Sequence, residues 1–460
     1  MAGIGFALRR LTSRRDLLGV VEAYGLSTLL SAGPWLFTIV AIVLVTQIGS
    51  RVAAWEEIVL FRAVITYNFS FSLVLSAPIV NVATRFLADQ IYAKDTSRAM
   101  GILFMALVLY FVLATVAGLI FYGVYADITP FQRVGAISGL YLVGFIWVTT
   151  IFVSALKDYR TVAFIFGAGM ASAVAASFII GLYFAGEGLI HGFNAGLAVI
   201  FFALLARIFA EYPFRIAKPW ELLKRFRPYW VLALSGFTYS MAIWIDKWLM
   251  WALEPDAEAS GGILYTLPFY DSAMFLAYLI TVPGMALFFV SIETEFFEYY
   301  QRFYGSFQEH ATLAQIRHHR DRIAAFVGNS LRNLAIFLAC LVVVAVVSAS
   351  AWFEALGITF RQIGVYRLGT VGAFLHTLFI FESVMLSYFD MRKVVLGLNT
   401  LFLASNAIAT VITLNLGFPY YGLGYLSAAA ISFIAGLLVL VYKLKWLDYN
   451  AFVLNNPSIR

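Results

Sequence analysis

Long apolar segments recur along the chain and are separated by short polar connections. Each segment holds at least the ~20 mostly apolar residues that an α-helix needs to cross ~30 Å of hydrocarbon. We interpret them as twelve membrane spans, at approximately 22–48, 58–86, 99–124, 134–156, 161–185, 189–210, 229–253, 265–291, 328–350, 367–389, 394–416 and 420–442. The pattern therefore predicts an all-α polytopic membrane protein.

Basic residues are distributed unevenly between the connections. Of the 31 Lys and Arg residues, 24 lie in or beside the even-numbered connections and the two terminal segments. The odd-numbered connections contain only Arg51, Arg133, Arg361 and Arg367. Because short cytoplasmic loops of membrane proteins accumulate Lys and Arg, we expect both termini in the cytoplasm and an even number of spans.

Composition excludes several classes of function. With 62% hydrophobic and 12% charged residues, the chain is not a soluble domain. Topology and attraction to anionic lipid of the bilayer explain the net charge of +6, so we expect no nucleic-acid partner. The sequence contains no Gly-rich phosphate-binding loop, and its single cysteine, Cys340, lies in a predicted span. We therefore predict no cofactor, no metal site and no catalytic residues.

The basic segment 211–228 divides the predicted spans into two groups of six. Since six is even, both groups begin at the cytoplasmic side and form parallel repeats, and transporters of this kind place their pathway between the halves. The predicted organisation comprises a basic amphipathic interfacial segment at 1–20, an N-terminal lobe at 21–210, a cytoplasmic linker at 211–228, a C-terminal lobe at 229–445 with a cytoplasmic loop at 292–327, and a cytoplasmic tail at 446–460.

Four charged residues lie within predicted spans at one depth. An ionisable group inside the hydrocarbon costs about 2.5–3.5 kcal/mol on insertion scales and usually faces a bundle interior or a wet cavity. Counting the helical rise from the span ends places all four in the outer third of the membrane: Arg62, Asp246, Lys247 and Asp271. We hypothesise that Arg62 pairs with Asp271 or Asp246 across the halves and closes the outer end of the pathway.

The alternative is that these charges form static pairs within one half, or reach the outer surface, without a gating role. Adjacent residues on a helix point about 100° apart. We therefore do not expect Asp246 and Lys247 to satisfy each other.

Glu382 is a lone acid deep on the inner side of its predicted span. A desolvated carboxyl group favours its neutral form, so this residue is a candidate proton carrier. A structural hydrogen bond to a neighbouring helix is the alternative. His376 is six residues away, which is not same-face spacing on a helix, so the two residues do not form an obvious relay.

The segment after the eighth predicted span has helical character. Its spacing places Glu295, Tyr299 and Arg302 on one face, and Glu298 lies four residues before Arg302, where an ion pair supports a helix. We predict a helical extension into the cytoplasm. Its exposed face, like the linker 211–228, is a candidate surface for docking partner proteins.

Three motifs together resemble the PelG family of exopolysaccharide exporters of the bacterial inner membrane. They are residues 1–11, the Ser-Ala-Gly-Pro-Trp sequence at 31–35, and the acidic-aromatic segment 292–304. The resemblance covers the whole chain and extends to the polysaccharide-transporter branch of the multidrug/oligosaccharidyl-lipid/polysaccharide flippase superfamily. It implies twelve helices in two six-helix lobes around a central cleft that spans 1, 2, 7 and 8 line. Arg62, Asp246, Lys247 and Asp271 would then lie near this cleft.

The resemblance also implies a function and partners. A growing amino-sugar polymer, rich in N-acetylgalactosamine, would pass from cytoplasm to periplasm for the biofilm matrix. A separate cytoplasmic glycosyltransferase would make the polymer, and a membrane-bound cyclic-di-GMP receptor would regulate the complex.

Two other functions remain open. A lipid-linked oligosaccharide flippase or a cation-coupled antiporter acting through Glu382 would share the fold. A membrane-embedded transferase enzyme is disfavoured, because the chain contains neither a D-x-D nor a Q-x-x-R-W motif.

Overall fold

The structure, a computed structural model, describes residues 17–156, 158–291, 295–308, 311–355 and 359–451. Most of these residues are helical. The interfacial segment expected at 1–20 lies outside them up to residue 16, as does the tail beyond residue 451. The helices are α1 (Leu17–Gly49), α2 (Trp55–Tyr92), α3 (Ala99–Gly118), α4 (Pro130–Leu156), α5 (Tyr159–Glu211), α6 (Glu221–Phe226), α7 (Trp230–Ala242), α8 (Ile245–Leu253), α9 (Pro268–Tyr278), α10 (Thr281–Ser291), α11 (Phe297–Gln308), α12 (Leu313–Ala355), α13 (Ile363–Tyr388), α14 (Arg392–Leu416), α15 (Leu423–Lys445) and α16 (Leu447–Tyr449).

Short elements connect some of these helices. A π-helix, Leu119–Tyr125, continues α3, and 3-10 turns lie at Phe360–Gln362 and Phe418–Tyr420. Strands β1 (Glu258–Ala259) and β2 (Tyr265–Thr266) pair antiparallel, with Glu258 opposite Thr266.

Nine helical segments in the described residues are long and apolar enough to cross a membrane. They are α2, α3 with the π-helix that continues it, α4, α5, α9 together with α10, α12, α13, α14 and α15. A shorter apolar helix covers Gly33–Gly49. The prediction of a helical, multi-pass membrane protein is therefore confirmed. The number of twelve spans and the side of each terminus stay predictions.

Helix α5 contains two antiparallel limbs. Its backbone leaves the helical region at Ala185, with φ 48° and ψ −131°, between the predicted spans 161–185 and 189–210. A straight helix would separate Ala173 from Gly196 by more than 30 Å at 1.5 Å per residue. Instead a Cβ on Gly196 would overlap the Ala173 backbone, so the limbs pack directly against each other through small residues.

Two predicted spans are interrupted. The segment 229–253 is divided into α7 and α8 by a turn at Ile243 and Trp244, and 265–291 is divided into α9 and α10 at Leu279 and Ile280. Pro283 explains the second interruption, because it lacks the N–H that a continuous helix would donate to Leu279. The first interruption has no proline or glycine.

Capping residues fix several helix starts. Gln132 donates its N–H to the Thr129 hydroxyl at 3.2 Å and accepts from the Thr129 N–H at 3.0 Å, which begins α4. Gln315 and Thr312 repeat this reciprocal arrangement at the start of α12, with distances of 2.9 and 3.4 Å. Helix α12 is 43 residues long, more than twice the ~20 residues of one span, and its first 15 residues, 313–327, lie in the predicted loop 292–327.

The chain divides into two compact units. The first is Ala32–Pro268, and the second combines the described residues before Ala32 with those from Phe269 onward. The first unit includes α7 and α8, which the sequence assigns to the C-terminal lobe. The predicted lobe boundaries remain a prediction.

Candidate transport site

Aromatic side chains from α2, the π-helix and α8 form one cluster in the first unit. The Tyr67 ring centroid lies 4.9 Å from Trp251, 5.1 Å from Phe121 and 5.5 Å from Phe71. Phe71 in turn lies 4.7 Å from Phe121 and 5.6 Å from Trp248. Tyr67 also donates its hydroxyl to the Tyr265 carbonyl at 2.9 Å. We call Tyr67, Phe71, Phe121, Trp248 and Trp251 the aromatic cluster.

Polar side chains beside the aromatic cluster are hydrogen-bonded. Asn68 donates to the Ala136 carbonyl at 3.0 Å and accepts from the Tyr122 hydroxyl at 2.9 Å. The Trp248 indole donates to the Ser70 hydroxyl at 3.4 Å. Because buried polar groups are costly when unpaired, these bonds fix the face of α2 that meets α4, the π-helix and α8.

Helix α8 also carries a buried ion pair. Lys247 Nζ lies 3.0 Å from Asp246 Oδ2 and 3.1 Å from Oδ1, and the carboxylate is fully buried. The ammonium also donates to the Ile243 carbonyl at 3.3 Å. Our expectation that adjacent residues cannot satisfy each other is therefore wrong. The pair lies in the first turn after a helix interruption, where the flexible lysine side chain folds back over the turn.

The other two outer charges are placed apart from this pair. Arg62 is half-buried on α2, and its guanidinium makes no hydrogen bond or ion pair with a described residue of its own unit. Asp246 is paired with Lys247, not with Arg62. Asp271 lies on α9 in the second unit, so a pair between Arg62 and Asp271 remains a prediction.

Glu382 occupies a different environment in the second unit. Its side chain is fully buried on α13, and neither carboxyl oxygen has a hydrogen-bond partner among the described residues. A Cβ on Gly436 of α15 would overlap Glu382 Oε2, so this glycine creates the space that the carboxyl group fills. Ser432, one helical turn before Gly436, is also buried and lacks a partner in the described part of the chain.

His376 is not joined to Glu382 by a hydrogen bond. Its Nδ1 lies 2.8 Å from the Tyr425 hydroxyl, and its ring packs 4.8 Å from Phe402. Across the described residues, no group of three or more His, Cys, Asp or Glu side chains is arranged to hold a metal ion.

The predicted cytoplasmic helix is present as α11. Arg302 lies 3.6 Å from Glu298, which confirms the predicted ion pair. Tyr299 packs 5.3 Å from the Phe326 ring of α12, so it contributes to helix packing, whereas Glu295 and Arg302 are exposed. The two charged members of the predicted trio therefore remain exposed, and their role in docking stays a prediction.

The aromatic cluster was not identified from the sequence. Its signal is spacing: Trp244, Trp248 and Trp251 follow helical periodicity, as do Tyr67 and Phe71. Aromatic residues make up 17% of the chain, so many of them share such spacing and only the fold identifies the rings that meet.

Comparison with known proteins identifies the fold and the family. The chain has a TM-score of 0.63 to a MATE transporter in the bent conformation, with 13% identity over 97% of this chain and 98% of that one. An inward-facing multidrug resistance MATE family transporter of the MOP superfamily gives a TM-score of 0.62, with 13% identity over 89% and 96%. A MOP superfamily transporter from Pyrococcus furiosus Vc1 gives 0.61, with 14% identity over 92% and 95%.

These likenesses show a shared transporter fold. No curated protein sequence matches the chain. The family model for PelG, described as "Putative exopolysaccharide Exporter (EPS-E)", matches residues 1–452. The chain is therefore a multi-pass membrane transporter and belongs to the PelG family of exopolysaccharide exporters.

Proposed function

We propose that this protein passes a growing amino-sugar exopolysaccharide from the cytoplasm to the periplasm, for use in a biofilm matrix. The observation that carries the proposal is the family match over residues 1–452. The proposed topology has twelve membrane helices in two six-helix lobes around a central cleft, with both termini in the cytoplasm of a bacterium and the protein in its inner membrane.

The aromatic cluster supports a carbohydrate substrate. Flat rings present a negative face that suits the C–H groups on a sugar ring. Phe71, Phe121 and Trp248 are each only partly buried, so their rings are not fully occupied by packing. The nearby Asp246 and Lys247 neutralise each other, which suits an N-acetylated sugar without charge.

Chain elongation by a partner is the proposed source of energy. The sequence contains no nucleotide-binding loop, so a cytoplasmic glycosyltransferase that extends the polymer would push it through the transporter. We place the docking surface for this enzyme, and for a regulatory cyclic-di-GMP receptor, on the exposed face of α11. Glu295 and Arg302 lie on that face.

The proposal is tested in cells that produce the polymer. We expect Trp248→Ala to reduce surface polysaccharide about tenfold or more, because it removes one ring of the cluster, while Trp248→Phe retains most export. Trp352→Ala is the matched control, since Trp352 is 56% exposed on α12. Equal export by Trp248→Ala and Trp352→Ala, at equal protein levels, would contradict a role for the cluster.

Partner docking is tested separately by purification from the native membrane. The full chain should copurify with a glycosyltransferase, and a charge reversal of Glu295 and Arg302 should weaken that association. Unchanged association would remove α11 as the docking surface without affecting the transport proposal.

A second candidate is a cation-coupled antiporter, or a flippase for lipid-linked oligosaccharides, that acts through Glu382. It is favoured by one observation, the complete burial of this carboxyl group without a hydrogen-bond partner in the described residues. Glu382→Gln separates the two candidates. The substitution should stop coupled antiport, whereas polymer export should continue.

A further inference from the structure

The linker 211–228 is fixed to the first unit. Arg98 at the start of α3 donates to Glu221 Oε2 at 2.7 Å. Tyr229, just after the linker, donates its hydroxyl to Asp89 Oδ2 at 2.7 Å. Leu222 between them is fully buried. The linker is therefore held against the ends of α2 and α3.

The linker lies against the start of a predicted membrane span. A Cβ on Gly101, the third residue of α3, would overlap the Ala217 carbonyl oxygen, so the linker backbone passes directly over the first turn of a predicted span. Aromatic rings continue from that span to the linker. Phe104 stacks 6.3 Å from Phe209, which lies 5.2 Å from Phe214.

The outward face of this segment combines large apolar and basic side chains. Five apolar residues are between 46% and 67% exposed: Phe214, Ile216, Trp220, Leu223 and Trp230. Four basic residues among them are also exposed: Arg215, Lys218, Lys224 and Arg227. We call these nine residues the linker patch.

The chemistry of the linker patch favours a lipid surface. Tryptophan is enriched at membrane interfaces, and basic interfacial segments with Trp, Phe and Leu bury their apolar side chains at the boundary of headgroups and acyl chains. The central parts of protein interfaces are instead depleted of lysine. Lys218 and Lys224 lie among the exposed apolar residues, where their ammonium groups can form ion pairs with phosphate headgroups.

We propose that the linker patch binds anionic phospholipid headgroups of the inner leaflet, with its apolar side chains inserted beside the acyl chains. The leaflet follows from the proposed topology, but the binding does not depend on transport. Lipid bound here would secure the start of α7 through Trp230. This occupant replaces the protein partner that the sequence suggested for 211–228.

Brominated lipids test the proposal on the full chain in nanodiscs. The difference between the parent protein and Trp220→Phe gives the fluorescence of Trp220 alone. Brominated phosphatidylglycerol should quench this fluorescence in preference to brominated phosphatidylcholine. Each basic residue near an anionic surface increases the affinity for that surface about fivefold. The combined change of Lys218, Lys224 and Arg227 to Gln should therefore lower the preference by at least about tenfold.

A matched control variant has the same net charge as this triple variant. Arg322, Lys393 and Lys445 are exposed basic residues elsewhere in the chain, and their combined change to Gln should leave the preference within about twofold. Single Lys224→Gln serves if the triple variant does not fold, with an expected loss of a few-fold. Equal quenching by both lipids in the parent would overturn the proposal. So would a Trp220 signal that neither lipid affects and that purified glycosyltransferase changes, since the patch would then be a protein docking surface.

Discussion

The two compact units bury acidic side chains in opposite ways. In the first unit, Asp246 is fully buried and lies 3.0 Å from the ammonium of Lys247. In the second unit, Glu382 is equally buried, yet its carboxyl group has no hydrogen-bond partner among the described residues and presses against Gly436. An isolated ionised carboxylate costs far more to bury than a neutral one. The two acids therefore differ in whether an opposite charge lies beside them among the described residues.

Burial alone therefore does not identify a functional acid. A paired acid adds no net charge to its surroundings, and it suits a static wall around an uncharged polymer. An unpaired acid can exchange a proton, and it suits a coupled transporter. Each prediction below separates these two situations.

Removal of Lys247 should have the largest effect. Lys247→Met removes the ammonium that lies 3.0 Å from the buried Asp246 carboxylate, and breaking a buried pair in this way costs about 3–5 kcal/mol of folding free energy. Unfolding of the purified protein in detergent measures the loss. The double variant Asp246→Asn, Lys247→Met should lose less than the single one, and Lys393→Met, an exposed control, should lose almost nothing.

Gly436→Ala should have the next largest effect. The added methyl group would overlap Glu382 Oε2, and forcing extra volume into a packed interior costs about 1–3 kcal/mol. Gly397→Ala is the control, because a Cβ there meets no atom within 4 Å. Shortening the acid with Glu382→Ser should restore stability to Gly436→Ala. A loss of equal size in both glycine variants would show that Glu382 does not fill this space.

Glu382→Gln should change the unfolding free energy by less than about 1 kcal/mol, because the amide has the same size and the carboxyl group that it replaces makes no hydrogen bond with a described residue. Asp246→Asn should cost clearly more under the same conditions, since it leaves the buried Lys247 ammonium without its counter-charge. Parallel denaturation curves for the two variants measure the difference. Equal losses would remove the distinction between the paired and the unpaired acid.

The smallest effect is expected for a pair near the surface. Arg207 donates to Asp158 Oδ2 at 2.9 Å and holds the pKa of Asp158 below its usual range. Because the folded-state pKa is lowered, the stabilisation is present above the unfolded value near 3.9 and is lost as the pH falls through the folded value.

Asp158→Asn should therefore cost at most about 1 kcal/mol at neutral pH. The difference in stability between Asp158→Asn and the parent should become smaller in acid. A thermal-melt series from neutral pH downward measures this change, and a cost that grows as the pH falls would contradict the pair.

Sequence reasoning predicted the parts of the fold that local composition determines. Uninterrupted apolar runs identified the helices, and the turn at Ala185 coincides with the boundary between two predicted spans. The interruption at Ile243 and Trp244 was missed, because no proline or glycine marks it. That interruption is also why the neighbours Asp246 and Lys247 meet, against the expectation for a regular helix.

The site was only partly accessible to the same reasoning. Charges within spans are rare, so Asp246, Lys247 and Glu382 stood out from the sequence alone. The aromatic cluster joins residues as distant as Tyr67 and Trp251, and among so many aromatic residues only tertiary packing selects these rings. Among the described residues Glu382 has no hydrogen-bond partner, and this likewise depends on what α15 places opposite it.

Protection of polymer inside membrane vesicles is a direct test of whether this chain exports polymer independently of Glu382. Inverted vesicles that contain this protein and its glycosyltransferase would receive a radiolabelled nucleotide sugar, followed by a glycosidase outside. We predict that polymer accumulates inside, protected from digestion, with the parent chain and equally with Glu382→Gln, and that vesicles without the chain protect none. Polymer digested to the same extent with and without the chain would contradict the account.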